Sequence, residues 1–177
     1  MLESLFYLNN VDSFERVLTD FEENIQDKRI PRDENISALS FMYLYFNKLN
    51  LRFMKGEFAN GDLLVDEIIE GIQVYQNTLD EHHVMVLYYK IASLYFGDDN
   101  YKKCIEYLQK IIQDKSLEMR EDLMCFSRIL NLVAHYEAGL DYHLDRLIRS
   151  TYRFLIKMND KFKAIVIDQS GDKFSRE

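Results

Sequence analysis

Residues 88–112 constrain the fold more than any other stretch. Tyr88-x2-Ile91-Ala92-x2-Tyr95 steps by three and four, which lays its apolar side chains along one side of a helix. Gly97-Asp98-Asp99-Asn100 then turns the chain, and Tyr101, Cys104-x3-Leu108 runs back as a second one-sided helix. Ala92 and Cys104 are the small members of the pattern, where two helices can cross closely. A hairpin of this kind cannot bury its apolar face alone, so it must stack on others. The chain is therefore expected to be all-α.

Composition agrees. The 177 residues suffice for one domain with a real core. Hydrophobic residues make up 47% and aromatics 14%, which excludes disorder of the whole chain. One proline and six glycines leave little punctuation and suit long helices. Twelve Tyr and twelve Phe, with no Trp, supply bulky wedges between helices. A formal charge of −8 repels nucleic acid and anionic membranes, so no nucleic-acid partner is expected. Cys104 and Cys125 match no metal spacing, and a reducing compartment is the simpler assumption. No signal peptide and no spanning segment is evident, and a cytoplasmic location is expected.

Helical signals run the length of the chain. Residues 2–8 read as a short helix ended by Asn9-Asn10. Asp12-x-x-Glu15 has the form of a capping box for a helix reaching about Gln26, with a stripe of Phe14, Val17, Leu18, Phe21 and Ile25. Ile30-Pro31 breaks the pattern. Helices follow over 36–54 and 63–75, joined by Gly56-Glu57-Phe58. Thr78-x-x-Glu81 is a second capping box, opening a helix over 79–96. Residues 117–138 are apolar on most sides, the signature of a buried helix. Gly139-Leu140-Asp141 turns into a helix over 142–158, with a short continuation over 160–166. The first apolar residue after each turn, Val11, Phe58, Tyr101 and Tyr142, recurs at spacings of 47, 43 and 41. This predicts about four hairpins sharing one continuous core over residues 1–167, then a flexible C-terminal tail over 168–177.

The pattern over 88–112 resembles that of tetratricopeptide-repeat proteins, W-x2-L-G-x2-Y followed by A-x3-F. A weaker match covers Ile129-x2-Leu132-Val133-x2-Tyr136 with Tyr142, and the weakest covers 45–58. The long helices of the last unit look like those of divergent bacterial members. No proline closes a unit, and Leu49 and Val133 stand where Ala92 does, so close crossing is expected only in the third unit. The resemblance implies a right-handed α-solenoid and a non-enzymatic scaffold that binds protein or peptide in a concave groove.

On that resemblance the first helix of each unit lines the groove. Its residues would be Tyr43, Phe46, Asn50 and Phe53 in the second unit, Val86, Tyr89, Ser93 and Phe96 in the third, and Ser127, Leu130, Ala134 and Glu137 in the fourth. The surface is aromatic and almost uncharged. Cations that clamp a C-terminal carboxylate in some members are missing at Phe46, Tyr89 and Leu130, so an apolar helix or peptide fits better. The same spacing is equally that of rings packed in a core. Arg146, Arg149, Arg153 and Lys157 form a basic stripe on the last helix, either a dock for an acidic helix or a phosphate-bearing ligand, or a solvated outer face.

Other chemistry is thinly supported. His82 and His83 point about 100° apart on a helix and cannot easily share an ion. His135 and His143 lie across a turn but make a weak metal site, so neither metal nor cofactor is expected. Gly56-x4-Gly61 is followed by Asp62 where a phosphate-binding loop needs lysine. Arg128-x6-His135 resembles the Arg/His motif of HEPN-type helical ribonucleases and is the enzymatic alternative. Under-capped ends of the stack make a homodimer the third possibility.

Overall fold

The computed structural model describes residues 1–27, 33–114 and 121–171, with only the backbone described at 141 and 161–171. Eight α-helices occupy the described residues, and no strand is among them: α1 (Leu2–Tyr7), α2 (Val11–Gln26), α3 (Glu34–Lys55), α4 (Asp62–Val74), α5 (Glu81–Gly97), α6 (Tyr101–Ile112), α7 (Glu121–Glu137) and α8 (Leu144–Gly171). A short 3-10 turn, Asp141–His143, precedes α8. The expected break at Ile30-Pro31 lies outside the described residues, as do 172–177 of the expected tail. The backbone of α8 is helical past Met158 to Gly171, so residues 160–166 belong to the same helix.

Helix starts follow local side-chain chemistry, though not at the residues the sequence singles out. Asn10, not Asp12, caps α2, its side chain accepting from Ser13 N–H at 3.1 Å. Asp80, not Thr78, caps α5 by accepting from His82 N–H at 2.8 Å. Thr78 instead donates to Glu34, pinning the start of α3. Asp33 and Asn100 cap α3 and α6 in the same way. Each such cap satisfies one of the orphan N–H groups of a helix start.

The first helix of each predicted hairpin ends in one repeated turn. A residue at positive φ, namely Asn9, Gly56, Asp99 or Gly139, donates its N–H to the carbonyl three residues back. The next N–H reaches the carbonyl five residues before it: Asn10 to Leu5, Glu57 to Arg52, Asn100 to Tyr95 and Leu140 to His135. This paired arrangement is the Schellman motif, which closes a helix through a left-handed residue.

Along most of the chain consecutive helices pack on one another, and α1 also meets α3, α3 meets α5, and α5 meets α7. The closest pairing joins α5 and α6, where Ala92 and Cys104 are fully buried. In contrast, α4 keeps its backbone farther from α3 and α5. Leu49 fills the crossing position there, and aromatic rings bridge the gap. Phe41 lies so close over Gly71 that a Cβ on that glycine would fall 1.9 Å from the ring. Tyr95 and Lys103 both donate to Asp62 at 2.7 Å, tying α4 to α5 and α6.

The buried apolar residues form three groups rather than one continuous core. A central group draws on α3 to α6 and includes Ala134 of α7. Leu2, Phe14, Leu18 and Leu44 form a second, and Met85, Ile111, Leu123 and Met124 a third. Half-buried rings bridge them, Tyr45 on one side and Tyr88 and Tyr89 on the other.

Candidate binding surfaces

The repeated turn fixes which residues of each hairpin are equivalent. Asp99 and Gly139 stand 40 residues apart, not the 41 that separate Tyr101 from Tyr142. The 3-10 turn at Asp141–His143 adds the extra residue after the turn. Tyr88, Ile91, Ala92 and Tyr95 therefore correspond to Arg128, Asn131, Leu132 and His135. The expected pattern 129/132/133/136 is displaced by one residue.

That displacement overturns two expectations for α7. Ser127 and Ala134, expected on the groove, are fully buried. Phe126, Ile129, Val133 and Tyr136 are instead 58%, 43%, 38% and 64% exposed. The helix is not buried all round. Its inner stripe is Leu123, Met124, Ser127, Asn131 and Ala134, and its outer stripe is apolar and open. The open residues are the true counterparts of Val86, Tyr89, Ser93 and Phe96. Gly139, a glycine just past a helical run, was the sequence signal that would have set this register.

In the second hairpin the groove residues divide. Tyr43, Phe46 and Asn50 line a cavity of about 350 Å³ between α1, α3 and α5, with Phe6, Met42 and Val86 completing its apolar walls. Lys90 reaches into it, its ammonium 4.2 Å from the centre of the Phe46 ring and 5.3 Å from that of Phe53. It donates to the side-chain oxygen of Asn50. Burial pulls the Lys90 ammonium down to about 8. Phe53 stacks on Phe58, whose ring covers Gly97.

The third-hairpin residues are packed rather than open. Phe96 meets Tyr101 edge-on and lies against the central core. Tyr89 is half-buried between two core groups, and burial raises its phenol. Ser93 donates back to the Tyr89 carbonyl at 2.9 Å.

The basic stripe also divides. All four are exposed, and of them only Arg146 and Arg153 also line recesses between α7 and α8. One is a cleft of about 390 Å³ that includes Arg128 and His135, so the pair of the enzymatic alternative does share a site. His143 lines it too. The Nδ1 of His135 lies 2.7 Å from the Asn131 carbonyl, which can only accept, so that nitrogen carries the proton.

Among the described residues no three His, Cys, Asp or Glu side chains are grouped to hold a metal. His83 faces Asp80 at 3.8 Å. Burial pushes the Cys104 thiol up to about 12, far from a reactive thiolate. No described helix is long and apolar enough to cross a membrane. No protein-family model matches the chain, and comparison with curated proteins and with solved structures gives no match either.

Proposed function

We propose that the protein is a non-enzymatic interaction module, a right-handed tetratricopeptide-like stack of four helical hairpins that binds an amphipathic helix of a partner protein. The four repeated turns and the contacts among α1, α3, α5 and α7 support the stacked architecture. The observation that carries the binding role is the open stripe Phe126, Ile129, Val133 and Tyr136 on α7. Its steps of three and four match the ridge that a second helix packs against. The cavity bounded by Tyr43 and Phe46 extends the same kind of apolar surface at the other end of the stack. With a net charge of −8, the favoured partner helix carries a basic polar face. Two unpaired cysteines agree with a cytoplasmic setting.

The test is affinity capture from native lysate with wild type and with Ile129→Asp/Val133→Asp. Both positions are exposed, so the variant keeps its circular dichroism spectrum. A protein retained by wild type and lost by the variant, and whose isolated helix binds wild type alone, supports the proposal. Identical capture by both removes the stripe from consideration. A dimer in light scattering that the same variant abolishes would make a second copy the occupant instead.

A further inference from the structure

The inward positions of the third hairpin, Tyr88, Ile91 and Tyr95, are apolar or aromatic and pack against α6. Their counterparts in the fourth hairpin are Arg128, Asn131 and His135. Where the third hairpin has core, the fourth has a polar cleft walled by α6, α7 and α8. Gln109 of α6 donates to Asn131 across it at 3.2 Å, and Arg146 and Ser150 approach from α8. An adjoining recess shares Arg128, Arg146 and Ser150 and adds Arg153.

Three guanidiniums thus converge, and among the described residues no carboxylate forms an ion pair with any of them. The Arg128 guanidinium carbon lies over Phe154, 4.4 Å from the ring centre, a contact that does not neutralise its charge. Its Nε is buried and meets no hydrogen-bond partner. Of the described lysines over rings, Lys48 and Lys103 pair with Glu22 and Asp62 and Lys90 has Asn50, while Lys110 lies over Tyr88 and Tyr107 on the exposed surface. Arg146 and Arg153 stand at the exposed rim, so it is the buried Arg128 Nε whose missing partner an anion in the recess would supply.

We propose that this cleft binds a phosphoryl dianion, either inorganic phosphate or the phosphate of a small phosphomonoester. Arg128, Arg146 and Ser150 line both the cleft and the adjoining recess, Arg153 adds a third guanidinium in the recess, and Gln109 adds a neutral donor in the cleft. A carboxylate has two oxygens and one charge, which a single guanidinium already satisfies. Three guanidiniums around one recess match a tetrahedral group with more oxygens and a second charge. The recess that all three line, about 430 Å³, suits a small molecule.

Thermal unfolding at constant ionic strength tests this with inorganic phosphate, adenosine 5′-monophosphate, adenosine and a hexaglutamate peptide, followed by calorimetric titration. Phosphate or the monophosphate at ten times its Kd should raise the wild-type Tm by about 4 °C. Adenosine should do nothing. Arg146→Gln, at a position open to solvent, should weaken binding at least tenfold while leaving the circular dichroism spectrum unchanged. Arg149→Gln on the outer face should bind as wild type does. Preference for the monophosphate assigns a phosphomonoester ligand, and equal response assigns free phosphate. The proposal is overturned by no wild-type response at 10 mM of either, by an equal response in Arg146→Gln, or by tighter binding of hexaglutamate.

Discussion

The third and fourth hairpins share one turn and one register, yet they invert what each face carries. In the third, Tyr88, Ile91, Ala92 and Tyr95 face inward onto α6, and the outer residues Tyr89 and Phe96 are covered by neighbouring groups. In the fourth, Arg128, Asn131 and His135 face a cleft, and Phe126, Ile129, Val133 and Tyr136 face outward. The backbone motif sets the hairpin, and the side chains at its inner positions decide whether the space between helices is core or site. The central hairpin has helices on both sides, so every face can be apolar. Among the described residues the fourth is covered from one side only, and its polar interior stands beside an apolar exterior.

Paired substitutions test the inversion most sharply. Tyr89→Ala/Phe96→Ala should lower unfolding stability by about 4 kcal/mol, because two packed rings are removed. The equivalent change in the fourth hairpin, Ile129→Ala/Tyr136→Ala, should cost less than about 1 kcal/mol, since these side chains are open. Equal urea midpoints for the two double variants would break the comparison.

The two buried cations give the next effect. Lys90 titrates near 8 in the folded protein, below its ordinary value of 10.5. Between those values the unfolded chain holds a proton that the folded chain does not, so stability rises with pH across that window. Below pH 8 the full burial cost is present. Relative to Lys90→Met, wild type should therefore gain about 3 kcal/mol as pH rises from 7.5 to 10.5. Constant spacing between the two stability curves would show that Lys90 is solvated. Its counterpart in the comparison is Arg128, which stays charged throughout that range. Arg128→Met should raise the stability of the ligand-free protein by about 1 kcal/mol, through loss of an unpaired buried charge, while abolishing the phosphate response. A destabilised variant would show that the cation over Phe154 holds the hairpin together.

The smallest effect belongs to the open stripe. Ile129→Asp/Val133→Asp should shift stability by no more than about 1 kcal/mol by chemical denaturation, because both side chains are only partly covered. A large drop would mean that the outer face of α7 is covered in the folded protein.

Much of the fold was legible because helical punctuation is local. The steps of three and four at residues 88–112, the small Ala92 and Cys104, and the positions of the turns all depend on residues within a few positions of one another. Cap identities were misread by two residues, at Asp12 and Thr78, because any Asp, Asn or Thr near a start competes for the same orphan N–H groups. The candidate site was less legible. Tyr43, Phe46 and Asn50 line a common cavity, whereas the repeat pattern puts Ile129, Val133 and Tyr136 at packing positions that are exposed in the structure. By spacing, Arg146, Arg149, Arg153 and Lys157 are equivalent along one helix, whereas only Arg146 and Arg153 line the recess that Arg128 lines.

By itself, then, the sequence determined that the chain is helical, where it turns, and that its third hairpin packs tightly, since hydrogen bonds along one helix and steric size at one crossing are short-range quantities. Only the tertiary structure decided which apolar stripes are covered and which stay open. It also decided that Arg128 and His135 of α7 meet Arg146 of α8 in a single cleft. Aligning α7 on Tyr142 misplaces its faces by one residue, because the 3-10 turn at Asp141–His143 adds a residue between that ring and the helix. A slip of one position rotates a helical face by about 100°, enough to exchange core for surface.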